Sequence, residues 1–298
     1  MFLIYINDVF DIFNQPVITK LYADDLKLYS TIDCDQDNAN LQQCLDKLLQ
    51  WSEDWQLAIS INKCQNLHVG NQNALHGPLA EAKFQIGSFN LPEVVTVRDL
   101  GVTVDCSMKF EQHINDISRR ANTRARLILK CFQSRHTPTL LKAFTTYVRP
   151  VLEYNSPVWS PRLHKHIDLL EKVQRRFTKR LPGMFRVSYD DRLAALQLER
   201  LEARRLRSDV LTTYKIIFGH TIINSAELFK LNTETITRGH HYKIVYVSSN
   251  CETRRHFLSN RVVSLWNKLP ADTNFSTLTN FNQCINNFDF DHHCIGKR

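Results

Sequence analysis

The chain has 298 residues, of which 43% are hydrophobic and 23% charged, a balance typical of globular proteins with a sizeable core. Its 8 glycines and 9 prolines exclude collagen-like and low-complexity classes. No apolar run approaches the ~20 residues that a membrane-spanning helix needs, so no membrane partner is expected.

The formal net charge of +8 is unevenly distributed along the chain. Residues 1–116 carry 7 basic and 16 acidic side chains, residues 117–218 carry 22 and 8, and residues 219–298 carry 9 and 6. A domain with well-mixed charges would not separate in this way. The basic middle segment is therefore predicted to contact a nucleic acid.

The acidic segment predicts short strands around one long helix. Val17–Tyr22 and Leu26–Tyr29 are apolar runs whose connection, Ala23-Asp24-Asp25, predicts a tight hairpin. Leucines and tryptophans then recur at helical spacing from Leu41 to Trp55, after Asp35 or Asp37 as a cap. Further strand-like runs are Ile59–Ile61, Leu67–Val69, Leu100–Val104 and a hairpin of Lys83–Ile86 with Asn90–Val95.

The rest of the chain predicts mainly helices. The predicted helical stretches run from about Ile114 to Leu129, from Thr137 toward Pro150, and over Leu163–Leu181, Leu193–Phe218, Phe257–Leu269 and Thr277–Phe288, with a loose strand at Tyr242–Val247. The predicted fold class is therefore α+β, in which an acidic mixed part precedes a basic helical part.

The stretch that carries chemistry is Tyr22–Asp25, at the bend of the first hairpin. Two adjacent carboxylates at a tight turn repel each other unless something positive offsets their charge. Mg²⁺ takes carboxylate oxygens and substrate phosphates together, and paired metal ions assist in-line displacement at phosphorus. A solvated Asp-Asp turn without a metal ion is the alternative, because such turns are common in hairpins.

The surroundings of this turn resemble the reverse transcriptases of jockey-like non-LTR retrotransposons. The first matching stretches are Phe2–Asp8 and Lys20–Tyr29, which resemble the polymerase palm. The later stretches are Trp55–Leu57 with Asn62-Lys63, Val97–Val102, Tyr147–Tyr154, Val158-Trp159 and Leu170–Arg176. Together they cover most of residues 1–270 in order.

The resemblance implies a role for several residues in Mg²⁺-dependent nucleotidyl transfer from deoxynucleoside triphosphates to a DNA primer on an RNA template. Asp24 would be a metal ligand, and Asp25 would have a lesser metal or structural role. Tyr22 would abut the primer terminus. Lys63 would lie near the incoming triphosphate, unless it is a solvated loop lysine. Leu100-Gly101 would belong to the hairpin that grips the primer.

The same resemblance divides the chain into three parts. Residues 1–112 would be a partial palm with its antiparallel sheet, residues 113–218 a thumb-like helical region, and residues 219–298 a C-terminal extension. Polymerases of this family also need an upstream palm aspartate and a fingers region, and Asp8 and Asp11 are not expected to replace that aspartate. The chain alone is therefore expected to be inactive, and the alternatives are a non-catalytic nucleic-acid-binding module or a relic without function.

The basic segment contains three arginine-rich clusters. Arginine suits bidentate phosphate contacts, and the nearby acids are too few to pair with every arginine. The aromatic side chains between the clusters are expected in the core. The residues predicted to contact phosphate are Arg119, Arg120, Arg124, Arg126, Arg175, Arg176, Lys179 and Arg180, with a further cluster at Arg200, Arg204, Arg205 and Arg207.

The eight cysteines are scattered and contain no C-x-x-C pair, which argues against a disulfide framework and predicts a reducing compartment. Cys284, His292, His293 and Cys294 lie close together, but their spacing does not fit a zinc knuckle. No signal peptide is predicted at the amino end. The expected location is intracellular, and the resemblance points to the nucleus.

Overall fold

The computed structural model describes residues 6–13, 16–70, 83–232 and 239–297. The chain divides into two compact units, Met1–Met108 and Lys109–Arg298. They are unit 1 and unit 2, respectively. The division into palm, thumb-like region and C-terminal extension stays a prediction.

The described residues of unit 1 form three antiparallel hairpins and one long helix. The strands are β1 (Ile18–Tyr22), β2 (Asp25–Tyr29), β3 (Gln85–Ile86), β4 (Phe89–Asn90), β5 (Thr96–Asp99) and β6 (Val102–Asp105), and the helix is α1 (Asp35–Asp54). A 3-10 helix spans Asn7–Ile12, and a single 3-10 turn spans Ile61–Lys63. The strands pair as β1-β2, β3-β4 and β5-β6, so the described residues form three two-stranded sheets rather than one continuous sheet.

Helix α1 begins at Asp35 with Cys34 as its N-cap residue, so neither predicted cap is the N-cap, but Asp37 stabilises the start of the helix from its first turn. The Asp37 carboxylate accepts hydrogen bonds from the backbone N–H groups of Asp33 (2.9 Å) and Cys34 (3.0 Å). These bonds favour the ionised carboxylate, and they hold the pKa of Asp37 below its usual range. Farther along α1, Leu45 packs with Phe84 and Ile86 in the core of this unit.

The regular elements of unit 2 are helices joined by loops, and the β structure among its described residues is one isolated bridge. Its helices are α2 (Glu111–Cys131), α3 (Thr137–Tyr147), α4 (Arg149–Glu153), α5 (Ser156–Trp159), α6 (His164–Lys179), α7 (Tyr189–Ala195), α8 (Leu201–Ile217), α9 (Ser225–Leu228), α10 (Glu252–Arg255), α11 (Leu258–Arg261), α12 (Val263–Trp266) and α13 (Leu278–Asn286). A mixture of helices and small antiparallel sheets agrees with the predicted class, α+β.

The core of unit 2 joins α8 to residues near the carboxyl end. The Tyr214 ring stacks on Phe218 and Phe281, with centroid distances of 4.5 and 4.3 Å. Its hydroxyl donates to the carbonyl of Phe275 at 2.9 Å, and Trp266 belongs to the same cluster. Residues after position 218 therefore share one hydrophobic core with α8.

Some predicted elements are wrong in type or extent. Ile59–Ile61 is not a strand, because a 3-10 turn starts at Ile61, and Leu67–Val69 has no strand either. Tyr242–Val247 contributes one isolated bridge, between Ile244 and Leu231. The long helix predicted over Leu193–Phe218 is two helices, since Gln197 has a φ of +52° that ends α7.

The helix predicted over Phe257–Leu269 is likewise divided into the short helices α11 and α12. The Thr277 side chain accepts a hydrogen bond from the backbone N–H of Asn280 at 3.1 Å, and α13 begins there as predicted. No helix in the described ranges is long and apolar enough to cross a bilayer.

Candidate functional site

The Tyr22–Asp25 turn is the tip of the β1-β2 hairpin. Tyr22 pairs with Asp25 and Leu21 with Leu26, so Ala23 and Asp24 form a two-residue loop. Ala23 adopts a φ of +52°, a conformation that a residue with a Cβ rarely takes. The predicted hairpin is confirmed, and its loop presents Tyr22, Asp24 and Asp25 to solvent, with Tyr22 66% exposed.

The carboxylates of Asp24 and Asp25 are both exposed. Among the residues that the structure describes, no hydrogen bond or ion pair involves either of them. Adjacent oxygen donors with no internal partner suit a hard cation such as Mg²⁺. The described residues contain no group of three or more His, Cys, Asp or Glu side chains that could hold a metal ion. Metal binding by Asp24 and Asp25 therefore stays a prediction.

The predicted primer-grip hairpin lies next to the Tyr22–Asp25 hairpin. Lys27 on β2 forms an ion pair with Asp99 on β5. Asp99 pairs with Val102, so Leu100 and Gly101 form a two-residue loop with φ values of +43° and +87°. Loops with two positive φ values match the twist of a hairpin and favour glycine, which Gly101 supplies.

Lys63 is exposed at the end of the Ile61–Lys63 turn, where its backbone N–H donates to the Ser60 carbonyl at 2.9 Å. Within the described ranges, no hydrogen bond or ion pair connects its ammonium to the Tyr22–Asp25 hairpin. The structure thus places Lys63 at an exposed turn, and its role near the triphosphate stays a prediction.

The four predicted phosphate-binding arginines of α2 are all exposed. Arg119 pairs with Asp116 at 2.7 Å, one turn earlier on the same helix. Arg124 donates to the backbone carbonyl of Tyr147 at 3.0 Å. For Arg120 and Arg126, no carboxylate of the described residues lies within ion-pair distance. The α2 surface therefore keeps most of its positive charge toward solvent.

The second predicted set lies on α6 and just after it. Arg175 is partly buried, lies over the Tyr189 ring at 4.9 Å and is 3.9 Å from Asp168. Arg176, Lys179 and Arg180 are exposed, and no ion pair with a described residue involves them. Among these four residues, Arg175 thus has a carboxylate neighbour within the described part of the chain, and the other three have none.

The phosphate contact predicted for the third arginine cluster is wrong, because its side chains form ion pairs or are buried within unit 2. Arg200 pairs with Asp190, Arg204 with Glu153, and Arg207 with Glu199. Arg205 is 2% exposed and lies among the acids of α6 and α8. The Arg207 hydrogen bond is the main reason that the pKa of Glu199 is below its usual value. These four arginines stabilise unit 2 and do not form an open phosphate-binding surface.

The aromatic side chains of the basic segment mostly belong to the core, as predicted. Phe144, Trp159, Phe177 and Tyr214 are buried. Tyr147 is an exception at 60% exposure. Sequence reasoning did not identify Phe185, which is 70% exposed beside Lys179. The one local signal that could have indicated a surface loop there is the Pro182-Gly183 pair directly after a basic helix.

The cysteines and histidines near the carboxyl end form no metal group among the described residues. Cys294 is buried, and this burial is the main cause of its raised pKa. The Cys284 sulfur accepts a hydrogen bond from the Asn274 backbone at 3.5 Å. All eight cysteines are free thiols in the structure.

Comparison with known proteins connects the hairpin of unit 1 to one enzyme family. Residues 1–104 match the family model described as reverse transcriptase (RNA-dependent DNA polymerase). An uncharacterized protein of Caenorhabditis elegans is 31% identical over 135 residues, which are 43% of this chain and 68% of that protein.

Two curated relatives are retrotransposon polymerases. The RNA-directed DNA polymerase from mobile element jockey of Drosophila melanogaster is 23% identical over 59% of this chain and 19% of its own length. The probable RNA-directed DNA polymerase from transposon X-element of Drosophila melanogaster is 22% identical over 54% of this chain and 18% of its own length. The chain thus spans less than a fifth of these polymerases. No solved structure matches it significantly.

Proposed function

The chain belongs to the reverse transcriptase (RNA-dependent DNA polymerase) family, and from this premise we propose that unit 1 is part of a polymerase palm. The observation that supports the proposal most directly is the two-residue loop that presents Tyr22, Asp24 and Asp25 to solvent without internal partners for the carboxylates. In a complete site, Asp24 and Asp25 would hold Mg²⁺, which would supply positive charge against the reacting phosphates.

In this proposal, a few other residues of unit 1 contact the primer and the nucleotide. The exposed Tyr22 ring contacts the primer terminus, and the Leu100-Gly101 loop supports the primer strand on the adjacent hairpin. The Lys27–Asp99 ion pair keeps these two hairpins together. Lys63 neutralises charge on the triphosphate, since an ammonium is a compact charge that can also give up a proton.

We expect the 298-residue chain alone to extend no primer, because its described residues do not complete a metal site around Asp24. The test combines the purified chain with Mg²⁺, a primed RNA template and deoxynucleoside triphosphates, and follows the primer length on a gel. Extension products that disappear in an Asp24→Asn variant would contradict this expectation and would show that the chain is a complete polymerase.

We propose a second, non-catalytic activity for unit 2, the binding of nucleic acid through the exposed face of α2. The supporting observation is that Arg120, Arg124 and Arg126 are exposed without a carboxylate partner among the described residues. Several unpaired cations on one helix attract the phosphate backbone and displace its counterions. Template and primer strands would be the ligands in a retrotransposon polymerase.

Replacing Arg120, Arg124 and Arg126 with glutamine should weaken binding to an RNA duplex and flatten its salt dependence. Each lost phosphate contact lowers the slope of log K against log salt by about 0.7 to 0.9, so three lost contacts lower it by about 2 to 3. Fluorescence anisotropy with a labelled duplex, repeated over a range of salt concentrations, measures the slope.

The matched control for this variant is a triple substitution of Lys215, Arg254 and Lys268 with glutamine, which removes the same charge from other exposed positions of unit 2. Equal slopes for the two triple variants would show that α2 is not the binding surface. Absence of salt-dependent binding by the unmodified chain would refute the binding activity and favour a relic without function.

A further inference from the structure

The Phe185 side chain is a solvent-exposed phenyl ring next to a cation. It lies in the loop of residues 180–188 that follows α6, and 70% of its surface is exposed. The Lys179 ammonium lies 5.0 Å from the ring centroid, which is the geometry of a cation–π contact. A ring placed in this way gains little from the fold itself, because most of its apolar surface remains in water.

The loop that carries Phe185 is tied down on both sides of the ring. Leu181 is buried, and its carbonyl accepts from the Met184 backbone at 3.1 Å. On the other side, the buried Arg192 donates to the Val187 carbonyl at 2.6 Å. These contacts hold the loop backbone, so a ligand that stacks on the ring does not have to order the loop first.

A stripe of cations leads along α6 to this ring. Lys172, Arg176 and Lys179 recur at the i, i+4, i+7 spacing that places them on one helix face, and all three are exposed. Arg180 and Arg186 are exposed on the loop itself. Taken over the described ranges, no ion pair involves any of these five side chains.

The acids nearest in sequence have other partners. Asp168 lies 3.9 Å from Arg175, and Asp190 pairs with Arg200. The Asp191 carboxylate accepts from the Ser188 hydroxyl at 2.6 Å. The cations around Phe185 therefore remain available to an external anion.

We propose that this surface binds single-stranded nucleic acid, with an unpaired base stacked on Phe185 and the flanking phosphates on Arg176, Arg180 and Arg186. The proposal deepens the nucleic-acid binding proposed for unit 2 and rests on it. A row of cations beside a single exposed aromatic ring is the arrangement that binds a phosphate backbone together with the faces of its bases. A lipid surface would be matched better by several neighbouring apolar side chains than by one ring.

The test uses the full chain and labelled single-stranded oligonucleotides of RNA and of DNA, with an abasic oligonucleotide of equal length as a third ligand. A Phe185→Ala variant should bind the two base-bearing strands roughly 5- to 100-fold more weakly. It should bind the abasic strand as the unmodified chain does, because that strand has phosphates and no bases. Phe185→Trp should restore binding, since an indole also stacks.

A Tyr246→Ala variant is the matched control, because Tyr246 is a 54% exposed aromatic residue elsewhere in unit 2. It should leave the affinity for all three strands unchanged. Circular dichroism of the Phe185→Ala variant should equal that of the unmodified chain, given the exposure of the ring.

Several results would overturn the stacking proposal. Equal affinity of Phe185→Ala and the unmodified chain for base-bearing strands would remove it, while salt-dependent duplex binding through α2 would still stand. An equal loss on the abasic strand would show that the ring does not act on bases. If Phe185→Ala lost binding to anionic phospholipid vesicles and kept its affinity for the oligonucleotides, the surface would bind lipid instead. No binding of any strand or duplex by the unmodified chain would refute both proposals.

Discussion

Replacing Arg261 with alanine should destabilise unit 2 by about 3–5 kcal/mol, the usual effect of removing one partner of a buried ion pair. Asp209 is almost fully buried, and its two carboxylate oxygens accept from the Arg261 Nε and Nη2 atoms, each at 2.8 Å. Arg261 also donates to the Pro157 carbonyl at 2.7 Å. The substitution would leave Asp209 charged and buried, and it would break a link between α5, α8 and α11.

Urea unfolding followed by tryptophan fluorescence measures this effect. Replacing Trp51 and Trp55 with phenylalanine leaves Trp159 and Trp266 as the reporters, both in unit 2. The control is Arg119→Ala, which breaks a solvent-exposed ion pair with Asp116 and should change stability by less than about 1 kcal/mol. Similar effects of the two alanine variants would contradict a structural role for the buried pair.

The stability deficit of Arg261→Ala should shrink as the pH falls. Burial raises the pKa of Asp209 above its ordinary value of 3.8, and Arg261 opposes this rise. Without Arg261, the folded protein prefers the protonated carboxyl even more, so the folded-state pKa rises further above the unfolded one. Such a group costs stability at neutral pH, and the cost disappears as the pH falls through the raised folded pKa toward 3.8.

Phe281→Ala should have a comparably large effect, about 3–5 kcal/mol, because it would open a cavity among aromatic rings. Phe281 is fully buried, and its ring centroid lies 4.3 Å from that of Tyr214 and 5.2 Å from that of Phe275. These rings belong to the core that joins α8 to the residues after position 218. The cavity would therefore loosen α13 and α8 together.

The same urea titration measures the effect of Phe281→Ala, and Phe185→Ala is the natural comparison. Both variants remove one phenyl ring, but Phe185 is 70% exposed and Phe281 is fully buried. Truncation of Phe185 should change the unfolding free energy by less than about 0.5 kcal/mol. A small effect at Phe281 would mean that residues 219–297 do not share a core with α8.

Local sequence signals were sufficient where the structure depends on neighbouring residues. The β1-β2 hairpin follows from two apolar runs and a short polar turn, and the capping bonds of Asp37 span at most four residues. Gln197 shows the limit of such reasoning. Apolar periodicity continues across it, but its positive φ ends one helix before the next begins. Nothing in the spacing of leucines reveals a backbone conformation at a single residue.

Charge pairing was predicted less well, because it depends on contacts between distant parts of the chain. Arg204 pairs with Glu153, which lies 51 positions earlier, and Asp209 pairs with Arg261, 52 positions later. Counting acids near an arginine in sequence therefore overestimated the open positive charge of α8. For α2 and α6 the count was a better guide, because most of their arginines have no carboxylate partner in the described parts of the fold.

The candidate site shows the same contrast. Asp24 and Asp25 stand out in the sequence because their chemistry and the turn that exposes them coincide within four residues. Phe185 does not, since phenylalanine is a common core residue and its exposure depends on how the loop after α6 is held. Its function could be proposed only from its surface position and its cationic neighbours.

The two-residue loop at Ala23-Asp24 also limits how this part of the gene can change. Side chains on a strand alternate between two faces. If the loop keeps its two residues, one inserted or deleted codon between Tyr22 and Asp25 would shift the pairing of β2 by one position and reverse its inner and outer residues. Lys27 would then turn away from Asp99. Insertions and deletions in this lineage should accumulate outside the hairpin, which makes it a fixed reference point for aligning distant copies.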